Sequence, residues 1–154
     1  MKKYMISMML SMMLAIPAAQ ARNVKVMLPI ADALDTPLAQ RELDKKIPLE
    51  FGQKTVNAAI LSEERVYKKK NRSTLTDKEV CHELFVTALK EMQDRAKSVG
   101  ANTVTNIRSS YAKKAPIAST TQYECHTGRA LAGVALTGEF INSASANTHD
   151  ILKK

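Results

Sequence analysis

The chain has 154 residues, 23 of them Lys or Arg and 15 Asp or Glu, for a net charge of +8, with two Cys, three His and no Trp. That length supports one domain with a real but modest core. Two cysteines are too few for a disulfide-dense scaffold or for a zinc site built from cysteine quartets, and nothing in the chain approaches the ~20 apolar residues of a membrane-spanning helix.

The N-terminus has the layout of a secretory signal peptide. Lys2 and Lys3 lead into the apolar stretch from Met5 to Ile16, and Ala19-Gln20-Ala21 offers a small-x-small cleavage site before Arg22. Residues 1–21 are therefore expected to be removed, leaving a domain over residues 22–141 that works in the periplasm and a polar tail over 142–154. No cysteine stands at the cleavage site to carry a lipid, so the expected product is free, with no transmembrane segment. In an oxidising compartment two cysteines, Cys81 and Cys125, most simply form one disulfide.

From Asn23 to Ile30 the residues alternate, with Val24, Val26, Leu28 and Ile30 on one face, which predicts a half-buried strand. Thr36-Pro37 is an N-cap followed by a first-turn proline, so a short helix is expected from Leu38 to about Lys46, ended by Pro48. A second strand is expected from about Thr55 to Leu61, continuing toward Val66-Tyr67, and then a charged loop from Lys68 to Ser73. Thr76-Asp77-Lys78-Glu79 is a capping box. It opens a helix to about Val99 in which Val80, Leu84, Ala88, Met92 and Ala96 form an apolar stripe, flanked by Cys81, Phe85, Leu89 and Val99, and Gly100 supplies a left-handed C-cap.

Three strands are expected after it, Asn102 to Ser109, Thr120 to Cys125 and Arg129 to Ile141. The last has Val134, Leu136 and Phe140 on one face and Gly133, Ala135 and Thr137 on the other, the small face being the expected seat of the long helix. The fold class is thus α+β: a small, mostly antiparallel sheet packed by one long amphipathic helix plus a short N-terminal helix. A tight hairpin between the first two of these strands would carry Cys125 toward the middle or far end of the helix whose first turn holds Cys81. That sits uneasily with the ~7 Å limit on disulfide Cα atoms.

Few constellations carry chemistry. The twin dipeptides Cys81-His82 and Cys125-His126 suggest, beside the disulfide, an alternative metal or redox site, although His82 would point ~100° away from Cys81 on a helix. Gly128 and Gly133 have P-loop spacing, but Val134-Ala135 stands where Lys and Ser/Thr would hold phosphate and Mg²⁺. The carboxylates Asp32, Asp35, Glu42, Asp44, Glu63 and Glu64 have no histidine near them in sequence with which to form a nucleophile and base. No catalytic residue and no cofactor is assigned. Lys68, Lys69, Lys70, Arg72, Lys113 and Lys114 form two basic segments, each after a tyrosine, Tyr67 and Tyr111. Export argues against nucleic acid as their partner and favours an acidic envelope protein or the anionic envelope surface.

The segments Met92 to Val104, Tyr123-Glu124-Cys125 and Gly128 to Leu136 resemble small exported gammaproteobacterial proteins that carry the label "excinuclease ATPase subunit". More distantly they resemble RcsF-type envelope-stress sensors and the YbjQ-like fold. The RcsF-type resemblance implies a disulfide from a cysteine before the helix to one in the late strand region, by position Cys81 to Cys125 here. A second disulfide and the lipid-bearing cysteine of that family are missing, which speaks against membrane-anchored sensing. The ATPase label is inconsistent with a chain that lacks the phosphate-binding Lys-Ser/Thr. What remains is the expectation of a non-catalytic periplasmic protein that binds a protein or envelope component, with metal binding or redox chemistry as the alternative.

Overall fold

The computed structural model describes residues 23–56, 58–112 and 115–143. The expected signal peptide, Lys113 and Lys114, and the tail from residue 144 onward lie outside them. The elements run β1 (Asn23–Pro29), α1 (Ile30–Leu34), α2 (Pro37–Glu42), β2 (Leu49–Phe51), β3 (Ile60–Asn71), α3 (Asp77–Ser98), β4 (Thr103–Ser109), β5 (Gln122–Gly128) and β6 (Leu131–Ile141). Helices and strands are combined in one curled, mixed sheet of six strands covered by α3.

Strand β6 is the hub. It pairs antiparallel with β3 along its whole length, from Ile60 opposite Ile141 to Asn71 opposite Leu131. Its other edge is shared: β4 pairs with residues 136–141, and β5 takes over with His126 opposite Gly133 and Thr127 opposite Ala132. Beyond that shared edge β1 pairs antiparallel with β5 and β2 pairs parallel with β4. β4 and β5 therefore form no hairpin. They lie end to end along β6 and are parted by the connection through residues 110–121. Ser109 seals the gap where they separate: its hydroxyl accepts from the Glu124 N–H at 2.9 Å, while the Ser110 N–H donates to the Ala135 carbonyl at 2.9 Å.

This arrangement removes the difficulty with the disulfide. Twenty-two helical residues span about 33 Å, whereas the seven of β4 span about 24 Å. The first turns of α3 thus overhang β4 and meet β5 beyond its end. Cys81 and Cys125, both fully buried, are bonded there with Cα atoms 5.9 Å apart.

α3 forms as its sequence dictates. The Thr76 hydroxyl accepts from the Glu79 N–H, and the Glu79 carboxylate accepts from the Thr76 N–H at 2.8 Å, which closes the capping box. Asp77 and Glu79 in the first turn, with Arg95 and Lys97 in the last, match the helix dipole. Gly100 takes the left-handed conformation that the terminating turn requires, with φ of 76°. The stripe from Val80 to Ala96 is buried together with Cys81, Phe85 and Leu89, although Val99 is exposed. Within the core Phe85 stacks on Tyr123 with centroids 3.9 Å apart and meets Phe51 at 6.0 Å. Buried Gln93 ties α3 to the chain after α2, donating to the carbonyls of Asp44 and Ile47 and accepting from the Asp44 N–H.

Several expectations are corrected. β1 is an edge strand exposed over its first residues, and Ile30 opens α1 instead of ending the strand. The Thr36 cap is present, its hydroxyl accepting from the Ala39 N–H, but α2 stops at Glu42, six residues before Pro48. The segment Lys68–Asn71 is not a loop: it is the second half of β3, held in strand by eleven register partners along β6. The face of β6 under α3 is the one carrying Val134, Leu136 and Phe140. Gly138 shares it, and a Cβ there would come 2.7 Å from the Met92 methyl and 3.2 Å from Val104. The small-residue face with Gly133 and Ala135 looks the opposite way. At β2, Gly52 turns with φ of 67°, and its missing side chain lets the Ser119 backbone approach to within 3 Å of where a Cβ would sit.

Closing the 44-residue separation between the cysteines constrains the unfolded chain by about 4 kcal/mol on the loop-entropy account. Replacing both cysteines by alanine should lower the free energy of unfolding by about that amount, read from urea midpoints. Titration of the unfolded wild-type chain should find no free thiol before reduction.

Candidate functional site

The face of the sheet away from α3 gathers the residues with chemical potential. Strand alternation and register place Asn23, Lys25, Glu124, His126, Gly133, Tyr67 and Lys69 on it as a contiguous patch. Tyr111, from the connection that parts β4 and β5, folds back over it. Its ring stacks on His126 with centroids 3.7 Å apart and planes 6° from parallel, and Tyr67 meets it edge-on at 6.0 Å. These rings can lie on the sheet because Gly133 is beneath them: a Cβ there would sit 3.2 Å from the Tyr111 ring and 3.2 Å from the Tyr67 hydroxyl. Together with Lys69, Leu131, Ala132 and Gly128 they line a cleft of about 180 Å³.

His126 is held at both ring nitrogens. Nδ1 lies 2.9 Å from Asn23 Oδ1 and Nε2 lies 2.5 Å from Glu124 Oε1, and the other Glu124 oxygen is 3.3 Å from the Lys25 ammonium. Burial raises the Tyr111 hydroxyl to a pKa of about 12, and its hydrogen bond with Tyr67 pushes the same way. The ring of His126 is thus clamped flat against Tyr111, with both of its nitrogens hydrogen-bonded within the protein. The remaining groups around the cleft are mainly donors: the Lys69 ammonium, the Asn23 amide and the tyrosine hydroxyls.

The basic residues named from the sequence divide by strand parity. Lys68 pairs with Glu91 of α3, Lys70 with Glu83, and Arg72 with Asp77 at 2.8 Å, all on the helix side of the sheet. Lys69 alternates to the outer face and has no ion-pair partner among the described residues. The six cations therefore form no common patch in the described residues: three brace α3, one lines the cleft, and Lys113 and Lys114 are not described.

The four side chains of the alternative metal site do not converge. Both sulfurs are used in the disulfide, His126 is on the outer face, and buried His82 is inside, its Nδ1 2.8 Å from the Tyr123 hydroxyl. No group of three His, Cys, Asp or Glu side chains able to hold a metal occurs among the described residues. Burial lowers the His82 pKa, the Lys78 charge lowers it further and Asp32 opposes both. Burial likewise raises the pKa of Tyr123.

Sequence reasoning missed the Glu124–His126 pair. Its signal was the spacing Glu-x-His inside a strand, which sets two side chains on one face. A second polar cluster was also missed, in which buried Thr105 donates to Glu50 at 2.7 Å and buried Glu139 accepts from Asn106 at 2.8 Å and lies 3.7 Å from the Lys54 ammonium. Asn106 reaches Glu139 from a positive φ of 52° at the bulge in β4. No protein-family model, curated protein or solved structure matches the chain. No helix among the described residues is long and apolar enough to cross a membrane.

Gly133→Ala should push the Tyr67 and Tyr111 rings outward by a few tenths of an ångström and cost about 1 kcal/mol, the low end of overpacking, with a change in near-ultraviolet tyrosine dichroism. His82 gives a pH dependence. Its folded pKa lies below the ordinary 6.5, so the unfolded chain binds the proton more readily. Stability should be at its full value above that pH and fall as pH drops through it toward the folded pKa. Urea titrations at intervals from about pH 8 to 5 should show this slope in the wild type and not in His82→Gln.

Proposed function

We propose that the chain is a non-catalytic periplasmic binding protein, and that the outer face of its sheet, at the Tyr67–Tyr111–His126 cleft, receives an acidic segment of an envelope protein. The observation that carries this reading is the clamp on His126. A ring whose two nitrogens are both engaged and whose face is covered by Tyr111 is fixed in place as a wall, while the exposed donors beside it favour an anionic occupant. The signal-like N-terminus and the basic composition agree with an envelope location, and the late-strand resemblance to RcsF-type proteins supports the same compartment.

The structure-guided test is capture from periplasmic extract by the immobilised, disulfide-bonded chain, with Tyr111→Ala as the comparison. An acidic protein should be retained at low salt, weaken as salt rises, and be lost at least about tenfold in the variant, in line with removing a central aromatic contact. Equal retention by both proteins, or binding only to vesicles of anionic lipid, would sink the reading.

A further inference from the structure

We propose that β3 is a dimer edge, on which two copies of the chain pair antiparallel about a two-fold axis through Val66 to make one continuous twelve-stranded sheet. β3 is hydrogen-bonded to β6 along one side, and no described strand pairs with its other side, although it runs for twelve residues; from α3 the Arg95 side chain reaches its backbone at the Arg65 carbonyl, at 3.4 Å. A strand edge of that length is a template for another strand.

Lysines on an edge commonly serve to repel such pairing. A repelling edge needs one sign of charge, however, and this one carries both, in a two-fold order. The run Ser62-Glu63-Glu64-Arg65-Val66-Tyr67-Lys68-Lys69-Lys70 has acids on one side of Val66 and bases on the other. In an antiparallel pair, residues directly opposite share a face of the sheet. With the axis at Val66, Glu63 comes opposite the partner's Lys69 on the outer face, Glu64 opposite the partner's Lys68 on the helix face, and Arg65 opposite the partner's Tyr67. Each charge pair occurs twice, as an isologous interface demands.

The neighbouring registers that keep the faces matched fail. An axis at Tyr67 sets Arg65 against the partner's Lys69, which offsets the one favourable pair it makes, Glu64 opposite the partner's Lys70, and an axis at Arg65 sets two arginines against each other and leaves Glu63 opposite a tyrosine. Charge thus selects one register out of three. The pairing also accounts for Lys69, which within one copy has no acidic partner among the described residues. Glu63, 59% exposed and 3.2 Å from Arg108, is held on the same outer face ready to meet it. The dimer goes beyond the binding reading and does not depend on it. Tyr67 and Lys69 are the residues the two share, whereas Tyr111→Ala changes a cleft residue that is not on the edge and Glu63→Lys an edge residue that does not line the cleft.

Sedimentation velocity of the disulfide-bonded chain tests the pairing. The wild type should be a dimer that dissociates as salt is raised. Glu63→Lys and Lys69→Glu, each of which places like charges opposite one another twice, should raise the dissociation constant about tenfold or more. An equimolar mixture of the two variants restores opposite charges at both positions and should sediment as a dimer. That result also shows that each variant is folded. A monomeric wild type, as would follow if another segment of the chain covered the edge, overturns the proposal, as does a dimer indifferent to either reversal or a mixture that stays monomeric.

Discussion

Everything in this fold is referred to β6, which is hydrogen-bonded along one edge to β3 and along the other to β4 and then β5. A strand bonded on both sides cannot slip by one residue without exchanging its two faces. Its even-numbered residues, Val134, Leu136, Gly138 and Phe140, therefore belong to α3 and the core. The odd-numbered ones turn to the outer face, Gly133 and Ala135 beneath the tyrosines and Glu139 in the cluster with Asn106 and Lys54.

The long helix was legible because its signals are local. A capping box, a four-residue apolar repeat and a terminal glycine all act within one or two turns and need no partner to be recognised. β6 was legible for a similar reason, through its alternation. Which of its faces meets the helix was not, because Gly138 and Gly133 look alike in sequence and only the bulk opposite each, Met92 on one side and two tyrosine rings on the other, tells them apart. The lysine run at 68–70 read as a loop because strand formation there is decided by pairing with residues 132–134, far along the chain.

The candidate site was hardest to foresee, since its parts come from the first strand, the middle of β3, a connection and β5. The sequence placed Tyr67 and Tyr111 next to basic residues, which was correct as adjacency and misleading as geometry, because Lys68 and Lys70 turn to the helix side. The expected conflict over the disulfide had one source, the assumption that consecutive strands form a hairpin. Once β4 and β5 lie end to end on one edge of β6, the covalent link and the length of α3 agree.

The connection that makes this separation possible is held at several points, by Ser110 on the Ala135 carbonyl, by Ile117 bridged backbone to backbone with Ser109, and by Ser119 pressed against the Gly52 backbone. Surface connections ordinarily absorb inserted or deleted residues with little penalty. Here the path between those anchors also sets where Tyr111 lands, so a change in its length would carry straight into the aromatic wall of the cleft.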